Sequence, residues 1–168
     1  MVTIRQAIPE NVSAVARVHD SSLRSQGTDH YTEEQLAAMA PPERDPDALD
    51  AKILNRDDRY VAVAVGEDGL VGVGGVQLSD GRLLGIFVSP DHMGEGVGSA
   101  LVDDIESRAR EEGLSELTVF SALNAGGFYD ANGFQRVART DEGGIGGPLG
   151  AYDSDSVDIS SVEFRKEL

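Results

Sequence analysis

The chain has 168 residues, 40% hydrophobic and 26% charged, enough for one buried core at the ~150 residues of a typical domain and too apolar for a disordered chain. Fourteen lysines and arginines against thirty aspartates and glutamates leave a formal charge of −16, which repels phosphate backbones and argues against nucleic acid as a partner. There is no cysteine, so disulfides, thiolate metal sites and a cysteine nucleophile fall away together, and no metal site is expected.

No apolar run approaches the ~20 residues of a membrane span, and Met1 to Gln6 lacks the apolar core of a secretory signal. A cytoplasmic protein without a membrane partner is therefore expected. Lys52 and Lys166 are the only lysines, while acids such as Asp45, Asp57, Asp103 and Asp104 are spread along the chain. Dispersed acidity of this kind reads as solvation in a salt-rich, halophilic cytoplasm rather than as a tail that recruits a cationic partner.

In chain order, Val2 to Ala7 is predicted as a strand. Pro9-Glu10-Asn11 then opens a helix with Val12, Val15, His19 and Leu23 at helical spacing, His19 being read as a core histidine. A second helix is expected from Thr32, with Gln35 reaching back to cap it and Ala40-Pro41-Pro42 stopping it, and a third over Asp47 to Asn55. Three antiparallel strands follow, Tyr60 to Val65, Leu70 to Leu78 and Arg82 to Val88, with turns at Glu67-Asp68-Gly69 and Ser79-Asp80-Gly81. An amphipathic helix from about Gly98 to Glu112 places Leu101, Val102, Ile105 and Ala109 inward and ends at Gly113. Then come a strand Leu117 to Phe120, a short helix Gly126 to Asn132, a strand Phe134 to Arg139, a Gly/Asp-rich loop Thr140 to Ser156 and a last strand Val157 to Lys166.

This order implies an α+β fold, a mixed and mostly antiparallel sheet flanked by helices with one strand–helix–strand crossover. We read 1–168 as one domain: 1–59 the first strand and helices, 60–88 the meander, 89–139 the crossover region, and 140–168 the loop and final strand.

The chemistry concentrates where Val88-Ser89-Pro90 ends a strand and Met93-Gly94-Glu95-Gly96-Val97-Gly98-Ser99 enters the best helix in the chain. Glycines at 94, 96 and 98 let successive N–H groups converge on an anion, and the helix dipole adds positive charge, so a phosphate or pyrophosphate is the natural ligand. A nucleoside-triphosphate loop fails because no Gly-Lys-Ser/Thr follows. A dinucleotide fingerprint fails because the loop follows a meander, and the next strand ends in Phe120-Ser121-Ala122 without an acid. A plain structural turn remains the alternative. His92, inside the loop, is read as solvated, with a phosphate within its reach.

The strand Leu83 to Val88, the Val88-x-Pro90 step, the Met93-x-x-Gly96-x-Gly98 loop and the segment Asn124-Ala125-Gly126-Gly127-Phe128-Tyr129-Asp130-Ala131-Asn132-Gly133-Phe134 together resemble the GNAT superfamily of acyl-CoA-dependent N-acetyltransferases. The specific match covers residues 83–134. The resemblance implies transfer of an acetyl group from acetyl-CoA to an amine, by direct attack in a ternary complex. It implies pyrophosphate binding by Met93, Gly94, Glu95, Gly96, Val97, Gly98 and Ser99, and thioester binding by the backbone of Ile86, Phe87 and Val88, with N–H donors stabilising the oxyanion. Phe128 would lie beside the pantetheine, Asn124 would bond that arm or cap the following helix, and Tyr129 would protonate the departing thiolate. The amine acceptor is a small molecule or a peptide, and a homodimer is left open.

Two departures from the family pattern stand out. Met93 replaces the usual Gln or Arg and Glu95 a common basic residue, so backbone amides must carry more of the pyrophosphate. No carboxylate lies on Leu83 to Val88, which leaves Asp80, His30, Glu163 or water as base. That gap keeps a second reading open, a non-catalytic acyl-CoA-binding or regulatory module, and a third, an acidic partner-binding domain.

Overall fold

The computed structural model describes residues 2–27, 32–34, 57–121, 126–140 and 161–168. Strand β1 (Thr3–Gln6) leads through a 3-10 turn, Pro9–Asn11, into α1 (Val12–Gly27). The meander is β2 (Arg59–Gly66), β3 (Gly69–Gln77) and β4 (Arg82–Val88), followed by a second 3-10 turn, Pro90–His92. Then come α2 (Val97–Glu111), β5 (Glu116–Ser121), α3 (Gly126–Ala131), β6 (Gln135–Thr140) and β7 (Ser161–Glu167). Glu33 and Glu34 are helical, as expected after Thr32; the rest of that helix, the helix expected over 47–55, and 141–160 lie outside the described residues. No described helix is long and apolar enough to cross a membrane.

The seven strands form one mixed sheet in the order β1-β2-β3-β4-β5-β7-β6. Every neighbouring pair is antiparallel except β4 with β5, which the α2 crossover makes parallel. The last strand inserts between β5 and β6, a placement that the element order does not reveal, because pairing between strands distant in sequence leaves no local trace.

Alternation along β2 and β3 sends side chains to two faces. Val61, Val63 and Val73 pack with Val12, Val15 and Val18 of α1. Ala62 and Ala64 join Leu101, Val102, Ile105, Leu117 and Phe164 on the α2 side. The α2 face of the meander is built from small residues: a Cβ on Gly72 would stand 2.9 Å from Val97 Cγ1, and one on Gly74 2.9 Å from Ile105 Cδ1. The helix therefore lies directly on the strands. Full burial of each large aliphatic there is worth about 1.5–3 kcal/mol. Glu106, 5% exposed, faces Lys166 of β7, whose ammonium also donates to the Asn132 carbonyl at 2.8 Å. This pair ties α2 to the far half of the sheet and satisfies the charge that the helix buries.

Candidate active site

The site begins with a defect in β4. Leu83 pairs with Val76 and Gly85 with Gly75, which leaves Leu84 as an extra residue, a one-residue bulge that bends the strand. Gly85 takes the bend at φ 135°, a conformation that side chains resist. On its other edge β4 meets β5 only at Arg82↔Thr118 and Leu83↔Val119. Past the bulge the two parallel strands part, and the last residues of β4 border a gap.

Backbone direction then follows from alternation. The Ser89 N–H donates to the Val71 carbonyl of β3 at 2.8 Å, so the Phe87 N–H points the same way, while those of Ile86 and Val88 point into the gap. Tyr129 of α3 meets the first of these: the Ile86 N–H donates to its phenolic oxygen. The ring is 3% exposed and is held by Phe128, Phe134 and Phe164, with centroids 5.1, 5.4 and 5.7 Å away. Burial pushes the phenol well above its ordinary pKa of 10, only partly opposed by the Ile86 N–H. It is a proton donor at any physiological pH.

The loop after β4 delivers the chain to the start of α2 with Gly94 at φ 79° and Gly96 at φ 84°. The helical ladder begins with the Ala100 N–H on the Gly96 carbonyl at 3.1 Å, so the N–H groups of Val97, Gly98 and Ser99 precede it. Gly96 supplies no side-chain cap, and no acid sits in the first turn. Gly98 is required by close approach: a Cβ there would stand 2.7 Å from Phe128 Cε2. Phe128 thus packs over the helix start and joins the glycine loop to the Tyr129 segment.

A cleft of about 330 Å³ connects these parts, lined by Ser22, Ile86, Val88, His92, Met93, Gly94, Gly96, Val97, Gly98, Ser99 and Phe128. Nine of the residues expected to hold the coenzyme are among them. Phe87 and Glu95 are not: the Phe87 ring stands edge-on to His19 of α1, centroids 4.5 Å apart, and Glu95 is exposed and paired with His92 Nδ1 at 3.0 Å. Tyr129 sits one hydrogen bond behind the lining, through Ile86, and Asn124 lies outside the described residues. Phosphates could meet the free N–H groups of α2, and an apolar thioester arm could meet Val88, Met93 and Phe128.

Two lining residues were not singled out as cofactor contacts by the sequence. Ser22 belongs to the His19 face of α1, where a serine at helical spacing from buried residues was the available signal. His92, expected in solvent with a phosphate within its reach, lines the cleft. His19 is fully buried, with Nδ1 2.9 Å from Asp20 Oδ1, as a core histidine should be. Of the base candidates, Asp80 accepts from the Arg82 N–H at 3.0 Å, at the far end of β4 from the cleft. Glu163 pairs with Arg165 at 3.4 Å and does not line it. His30 lies outside the described residues.

The family model described as an acetyltransferase (GNAT) domain matches residues 27–145, more than half of the chain. Among solved structures, a GCN5-related N-acetyltransferase from Rhodopseudomonas palustris superposes with TM-score 0.83 at 23% identity, covering 99% of this chain and 95% of that one. PaiA N-acetyltransferase from Thermoplasma acidophilum, in complex with coenzyme A, gives 0.76 at 17% identity, covering 100% and 99%. A GCN5-related N-acetyltransferase from Kribbella flavida gives 0.68 at 18% identity, covering 99% and 98%. No curated protein sequence matches significantly. The strand bulge, the parted parallel strands, the glycine loop and the matching family model lead to one assignment: the chain belongs to the GNAT acetyltransferase family and is an acyl-CoA-dependent acetyltransferase.

Proposed function

We propose that residues 1–168 act as one N-acetyltransferase domain that moves an acetyl group from acetyl-CoA to an amine by direct attack in a ternary complex. The observation that carries this is continuity: Ile86 and Val88, past the β4 bulge, and the uncapped start of α2 line one cleft. Pyrophosphate would meet the N–H groups of Val97, Gly98 and Ser99, supported by the helix dipole. The pantetheine arm would lie against Val88, Met93 and Phe128, and the thioester carbonyl would accept from the Val88 N–H, which faces the gap and is not taken by Tyr129.

In this reading the amine attacks the acetyl carbon, the carbon–sulfur bond breaks, and the Tyr129 hydroxyl gives its proton to the departing thiolate. The Ile86 N–H then remains on the phenolate oxygen, the form that such a donor stabilises. The ammonium proton passes to water, and Tyr129 is reprotonated from solvent.

The test is acetyl-CoA-dependent release of thiol across a panel of amines. Release that requires both acetyl-CoA and one amine class is expected. Tight acetyl-CoA binding with no amine-dependent release would instead favour a non-catalytic acyl-CoA-binding module.

A further inference from the structure

The cleft is expected to hold a polyanion, yet among its described lining residues neither Lys nor Arg occurs, and the chain carries a charge of −16. His92 is the one lining residue able to become a cation near neutral pH. We infer that His92 is the side-chain cation of the phosphate end and that coenzyme A binds by taking up a proton on its Nε2. This rests on the coenzyme reading of the cleft and deepens it.

The geometry of the loop supports the coupling. His92 Nδ1 lies 3.0 Å from Glu95 Oε2, and a carboxylate can only accept, so Nδ1 carries the hydrogen. In the neutral ring, Nε2 is then left with a lone pair, which repels a phosphate oxygen. Only the imidazolium offers an N–H there while keeping its bond to Glu95. Glu95 thus has a use that its sign does not suggest: standing outside the lining, it fixes the tautomer that makes phosphate contact conditional on protonation.

Other charges around the 90–92 turn are Asp91 within it, which is exposed, and Asp20 and Arg24 on α1. Asp20 is engaged with His19. The first charges of α2, Asp103 and Asp104, stand more than a turn beyond the cleft. Glu95 is the acid in contact with the ring, at 3.0 Å, and the phosphate contact weakens as rising pH removes the proton from Nε2.

The experiment is calorimetric titration of the full chain with coenzyme A, between pH 6 and 8.5, in buffers of different ionisation enthalpy. Wild type should take up close to one proton above the His92 pKa, with Kd rising up to about tenfold per pH unit there. His92→Gln keeps a hydrogen-bond donor without titrating: it should lose that uptake and bind about three- to tenfold more weakly at pH 6. Glu95→Gln, whose amide can donate to Nδ1 and so leave an N–H on Nε2 of the neutral ring, should bind more tightly at pH 8 with less uptake. Ionisation of the coenzyme's own phosphate is common to all three proteins and cancels in the comparison.

Binding without His92-dependent proton uptake would overturn this inference and leave the coenzyme site standing. Absence of coenzyme A binding by wild type at every pH would overturn the coenzyme reading itself.

Discussion

The two halves of β4 have opposite fates. Arg82 and Leu83 are paired on both edges, to β3 and to β5. Ile86 and Val88, three to five residues on, keep β3 and have no β5 partner, so their outward N–H groups are left for Tyr129 and for the cleft. One extra residue at Leu84 and one glycine at 85 separate the two situations. The lesson is that the site is a place where a sheet has been prevented from completing itself: its polarity is unspent backbone hydrogen bonding, aimed by the fold before any ligand arrives.

The largest expected effect concerns the group standing in for the missing strand. Tyr129→Phe should lower kcat about 10²- to 10⁴-fold when chemistry limits the rate, with acetyl-CoA affinity nearly unchanged, because the ring stays in its aromatic cluster. Full kcat in that variant would assign the proton to another donor.

Next, Gly98→Leu drives a side chain into Phe128 at the junction of loop and helix. It should abolish the thermal stabilisation by acetyl-CoA while the apo protein stays folded, because ligand stabilisation requires binding to the native state. An undiminished shift would detach the glycine loop from the coenzyme.

The bulge is tested directly by Gly85→Val, which places a β-branched side chain at φ 135°. A loss of about 1–3 kcal/mol in urea unfolding is expected, whereas Leu84→Val should keep the bulge.

A smaller effect follows from proton linkage. The Tyr129 hydroxyl is raised by burial, and that of Tyr60 by burial and its bond to Asp104 at 2.6 Å. A folded pKa above the unfolded value of ~10 means that this part of the stability is constant below pH 10 and lost as pH rises beyond it. Denaturation midpoints followed from pH 9 to 11 should fall, and less so in Tyr129→Phe.

Much of this was legible because local rules write it. The meander, its turns and α2 came from periodicity and glycine placement, and their bounds moved by only a residue or so; the helix starts at Val97 rather than Gly98. The glycine loop was legible because a turn with positive φ at Gly94 and Gly96 and a close approach at Gly98 call for residues without side chains. Four features were not. The insertion of β7 between β5 and β6 joins segments far apart in sequence, and the Lys166–Glu106 pair depends on that insertion. The direction of each N–H of β4 depends on the bulge, and a bulge at Leu84-Gly85 looks in sequence like an ordinary strand glycine. Ser22 carries only its helical spacing from buried residues as a signal, and that spacing does not tell a serine that meets a neighbour from one that meets an opening.

The central claim is that the parted end of β4 and the first turn of α2 form one donor site. Backbone hydrogen–deuterium exchange with and without acetyl-CoA tests it residue by residue. The account predicts slowed exchange at Val88 and at Val97 to Ser99, with little change at Phe87, whose N–H already faces β3. Slowing confined to other segments, or none at saturating acetyl-CoA, would contradict it.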